Sequence, residues 1–165
     1  SWLAMNTPPS AGAAPTVVET QPPLSLEAML DREMTVSFDQ ESLDFALEAI
    51  VGAFKGALPA GSTMPPARII GGDLELGGIT QNQQVIDFSK TDVPLRRVLT
   101  DLVVGANPDK SAQGPADPKQ ALIWVVADDP ANPGQPAILI TTRQAAETKS
   151  YALPSEFEIK SSSPE

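Results

Sequence analysis

The apolar positions of the chain change period several times, and each change marks an element. Met34, Val36 and Phe38 alternate with Thr35 and Ser37, the two-residue period of a half-buried strand. Leu43, Ala46, Leu47, Ile50, Val51 and Phe54 then follow a 3.6-residue period, with Asp44, Glu48 and Lys55 on the other side of the helix. Ser42 or Asp39 offers an N-cap and Gly56 a stop. The same grammar returns later. Val85 to Phe88 is short and β-favouring, and Asp92-Val93-Pro94 starts a helix with Pro94 suited to its first position. Leu95, Val98, Leu99, Leu102 and Val103 then form a single oily face. A strand feeding a one-faced helix requires a sheet to lie on.

Shorter segments fill the rest. Leu24–Asp31 predicts a helical turn capped by Ser25, with Leu26, Met29 and Leu30 inward. Ala67–Ile70 reads as a short strand, and Asp73–Leu76, between two Gly-Gly pairs, as a turn or short strand. Leu122–Ala127 is continuously apolar, which predicts a central strand covered on both faces at Trp124. Asp128–Gln135 is a turn, Ala137–Thr142 the returning strand of a hairpin, and Arg143–Lys149 a last helical turn. Residues 1–23 are rich in Pro, Ala and Thr without a period and read as a disordered linker; residues 154–165 read as a flexible tail. A single domain is expected over 24–153.

Displaced by about 52 positions, the two strand–helix units overlay, so that Val36, Leu43, Ala46, Leu47, Ile50 and Val51 fall on Phe88, Leu95, Val98, Leu99, Leu102 and Val103. With the terminal hairpin this gives β-α-β-β-α-β-β. The expected fold is α+β, a small mixed sheet of four to five strands with two main helices packed on one face. The pattern VSFDQESLDFALEAIV (Val36–Val51), IDFSKTDVPLRRVLTDLV (Ile86–Val103), LIWVVA and AILITT resembles the short domain at the N-termini of secretins and TonB-dependent transducers. The likeness covers about Met34–Thr142 and departs from it in three long inserts, Leu58–Pro66, Gly105–Gln120 and Asp128–Gln135. It implies a module of the bacterial cell envelope or periplasm that docks another envelope protein or a second copy of itself, and not an enzyme. Membrane association is expected only through a segment preceding Ser1, which is read as not a native start.

Composition narrows the chemistry. The chain has 165 residues, no cysteine and no histidine, which removes disulfides, thiolate ligands and the commonest general base and metal ligand. The formal charge of −10 repels phosphate backbones, so no nucleic-acid partner is expected. Seventeen prolines, mostly outside the periodic segments, point to long loops.

Candidate sites are few. Asp128, Asp129 and Asn132 supply oxygen ligands without EF-hand spacing, and a solvated turn is the expectation. Asp73 and Glu75 have no nucleophile or base beside them and are expected to face solvent. The Gly-Gly pairs lack the Lys-Ser/Thr of a phosphate loop and are expected to serve turns. No cofactor, metal site or catalytic residue is assigned. Arg96 and Arg97 stand in a first helical turn, where the helix dipole disfavours cations, which makes them candidates for binding a partner unless Asp92, Asp101 or acids of the first helix neutralise them. A sheet edge at Ala67–Ile70 or Ala137–Thr142, with Ile138 and Ile140 as partner-binding residues, is a second candidate surface. The expected function is a non-catalytic protein–protein interaction or assembly module; the alternative is an envelope glycan- or peptide-binding module.

Overall fold

A computed structural model describes residues 24–159. The expected linker 1–23 and residues 160–165 lie outside the described residues. The order is α1 (Leu26–Leu30), β1 (Glu33–Ser42), α2 (Leu43–Ala57), β2 (Ala67–Ile69), α3 (Gly71–Leu76), β3 (Gln84–Pro94), α4 (Leu95–Ala106), β4 (Leu122–Asp129), β5 (Asn132–Thr142) and α5 (Arg143–Lys149), followed by a 3-10 turn at Ser155–Phe157. The class is α+β, as the periodicities predict.

The five strands divide between two sheets. β1 and β3 pair antiparallel as a ribbon of their own, while β2, β5 and β4 form a mixed sheet in that order. α4 shows why one sheet is not enough. Leu95, Val98, Leu99, Thr100, Leu102, Val103 and Ala106 are all buried. At 100° per residue these positions wrap more than half of the helix. α4 packs on β3 of the ribbon and on β4 of the larger sheet, so each side of it has its own cover. Gly105 lets the ribbon close in, since a Cβ there would stand 3.3 Å from Val85 Cγ1. α2 has the narrower stripe, with Leu43, Ala46, Leu47, Ile50 and Phe54 buried. Both helices still share one core. Burying each large aliphatic side chain of that core is worth up to about 1.5–3 kcal/mol.

The boundaries differ from the sequence reading where backbone pairing overrides propensity. α2 runs through Gly56 to Ala57. Pro94 ends β3 and stands at the N-cap of α4, so it is not the first helical residue. Gly71–Leu76 is a helix, with Leu74 fully buried. β4 is the edge of its sheet and β5 the centre. Ser25 caps α1 as expected, its Oγ accepting from the Ala28 N–H at 3.1 Å.

The repeat has a geometric counterpart. Ser37 lies opposite Ser89 in the antiparallel ladder. Their separation in sequence is the offset that overlays the two strand–helix units. A pseudo-twofold axis therefore passes through this pair and relates β1-α2 to β3-α4. The Phe38 and Phe88 rings, partners in the ladder, stack at 4.9 Å beside it.

Candidate interaction surfaces

The residues read as partner-binding fare differently. Ile138 and Ile140 are 0% exposed. β5 is held by β4 on one side and by β2 on the other, so neither its edge nor these side chains can meet a partner. That assignment is corrected: the apolar run of β5 shows that both of its faces are covered, and its two edges are taken by β2 and β4. β2 is a true edge strand, but it is three residues long.

Arg96 is engaged within the fold. Its guanidinium donates to Glu156 at 2.7 and 3.1 Å and lies 3.6 Å from Asp31. Burial works against the Glu156 carboxylate, but the bonds from Arg96 and the local backbone outweigh it and hold the acid below its ordinary range. Arg97 keeps 66% of its side chain exposed and, among the described residues, pairs only with Asp101, one turn on. Of the two arginines, Arg97 is the one presented to solvent.

Several polar residues prove to be internal braces. Asp73 is buried, accepting from Thr141 Oγ1 at 2.6 Å and from Lys149 Nζ at 2.8 Å. The expectation that it faces solvent is corrected, because α3 turns it onto β5 and α5. Lys149 is raised above its ordinary pKa, chiefly by that hydrogen bond. Asp129 is buried as well, and Arg68 of β2 donates to both of its oxygens at 2.8 and 3.1 Å. This bond is the main cause that holds Asp129 below its ordinary range. Asp129 therefore fastens the hairpin turn to β2 and is not part of a solvated turn. Arg143 donates to the carbonyls of Gln120, Pro115 and Phe157, which ties the 107–121 loop and the C-terminal segment to α5. Asn107 orders the start of that loop, its Oδ1 accepting from the Ala121 and Leu122 N–H groups. Among the described residues no three acidic side chains gather as a metal site. No described helix is long and apolar enough to cross a membrane.

The surface that remains open is the ribbon. Among the described residues β1 and β3 pair with each other and with no other strand. Glu33, Thr35, Ser37, Asp39 and Gln40 of β1 are exposed, as are Ser89, Thr91 and Asp92 of β3. Asp87 takes a φ of +53° and breaks the alternation, so Val85 and Phe88 are both buried and Ile86 is turned out, 61% exposed. Phe45, in the first turn of α2, is 58% exposed. The sequence reading did not single out this surface. Its one local signal is Phe45, an aromatic residue off the apolar stripe and among the acids of the helix.

A separate cleft of about 540 Å³ opens beside α5, lined by Arg143, Glu147, Tyr151, Leu153 and Ile159 among others. No protein-family model, curated protein or solved structure matches this chain.

Proposed function

We propose that this domain is a non-catalytic protein–protein interaction module of a bacterial cell-envelope protein, akin to the short N-terminal domain of secretins and TonB-dependent transducers. The observation that carries the reading is the ribbon. A two-stranded sheet is marginal alone, and here it is held by the helices behind it while its outer edges remain without a strand neighbour among the described residues. Rigid presentation of an unpaired edge is a recurrent way of docking another chain. The strand–helix repeat and the terminal hairpin support the family likeness. The periplasmic or envelope setting follows from that likeness alone.

The test is affinity capture. The immobilised domain is expected to retain one or a few specific proteins from bacterial envelope extracts, and a chain that retains none counts against the reading. The cleft beside α5, with Tyr151 and Arg143 in its wall, favours a second reading as a peptide- or glycan-binding module. A rise in melting temperature with envelope glycans, lost in Tyr151→Ala, would favour it over the first.

A further inference from the structure

We propose that the outer edge of β1 docks a basic, extended segment of a partner protein, which joins the ribbon as a third strand. This rests on the interaction-module reading and gives the partner's chemistry. The choice of edge follows by elimination among the described residues. β2 offers three residues, while β1 offers ten. On β4, Leu122 to Val125 are fully buried, and the Asp129 side chain is taken by Arg68. β3 is bent by two residues of positive φ, Asp87 and Asp92, and the extra residue of the ladder irregularity opposite Met34–Val36 belongs to it. β1 has no positive-φ residue. Its outward row of N–H and C=O groups is a template for main-chain pairing.

Charge selects the occupant. Glu33, Asp39 and Glu41 lie on β1, which has no Lys or Arg, and none of the three is in an ion pair among the described residues. A second copy pairing edge to edge through β1 would set these carboxylates against their own equivalents, and like charges on neighbouring strands repel. A strand with lysine or arginine at alternate positions instead brings opposite charges beside Glu33 and Asp39. Such complementarity speeds encounter and fixes register. Phe45, exposed three residues past the end of β1, is the apolar side chain available to an aliphatic residue of the same segment.

The experiment is an NMR titration of the labelled chain with a short peptide alternating lysine and valine, against one alternating glutamate and valine. The basic peptide is expected to shift the amides of Glu33–Ser42, to protect those that exchange fast, and to bind more weakly as salt rises. The triple variant E33K/D39K/E41K, melting like the parent, is expected to weaken binding at least tenfold. If that variant loses its fold, the three single substitutions, each weakening binding two- to threefold, serve instead. Equal binding of both peptides, shifts mapping to β3, β4 or β5, or no weakening in the variants would overturn the assignment. Capture from envelope extracts separates the two readings. A protein retained equally by parent and triple variant overturns the β1 assignment and leaves the module reading standing. Retention of nothing by either chain overturns the module reading itself.

Discussion

At the residue scale, Thr100 shows how a polar group is settled inside α4. Its Oγ1 donates to the Arg96 carbonyl at 2.7 Å and accepts from the Trp124 indole N–H at 3.0 Å. Thr100→Val keeps the shape but leaves that indole N–H buried and unpaired, at a cost of about 1–3 kcal/mol. Chemical denaturation of the variant checks this; an unchanged midpoint would mean that the indole has another partner. Asp87 sits at a φ of +53° that a β-branched side chain cannot take without strain. Asp87→Val is expected to destabilise by about 1–3 kcal/mol, and Asp87→Gly by much less. Equal losses in the two variants would contradict that backbone assignment.

At the element scale, the C-terminal segment is part of the domain. Phe157 is fully buried and meets Trp124 edge-on at 6.1 Å between centroids. Arg96 grips Glu156, and Arg143 holds the Phe157 carbonyl at 2.7 Å. Phe157→Ala is expected to cost about 3–5 kcal/mol, the range for a large aromatic removed from a core. A melting curve unchanged by that substitution would return the segment to the tail that its polar sequence suggests. Asp129 and Glu156 are both held below the ordinary carboxylate range, with arginine hydrogen bonds among the causes. Stability from such groups is present above their unfolded pKa of about 4 and is lost as pH falls through the lowered folded value. The stability gap between the parent chain and Arg68→Gln should therefore be full at neutral pH and close in acid. Lys149 is raised, so the stability it contributes is present below about pH 10.4 and is lost as pH rises through its higher folded value.

At the scale of the whole molecule, what was legible in the sequence is what local periodicity encodes. The stripes of α2 and α4, the Ser25 cap and the β4–β5 hairpin follow from spacing and turn residues. The partition into two sheets does not, because an alternating strand looks the same whichever neighbour it finds. Ala137–Thr142 is one of the two edges that the sequence offers, and its apolar run cannot decide the matter, because β4 is as apolar and lies at the edge while β5 lies at the centre. Asp73, Asp129 and Phe157 look solvent-facing in the sequence for a related reason: their partners Lys149, Arg68 and Trp124 lie far off along the chain. The offset of the repeat was legible, but its meaning was not. Only the register, with Ser37 facing Ser89, shows that the two units pair with each other about a dyad. Once they do, no strand among the described residues is left over to close the outer side of β1.

Among the described residues the outer edge of β1 is open, and amide hydrogen exchange of the free domain reads this out. Alternate amides between Glu33 and Ser42 should exchange fast, since they point away from β3, while amides of Ala137–Ile140 should all exchange slowly. Uniformly slow exchange along β1 would show that its outer side is already covered and would contradict the claim.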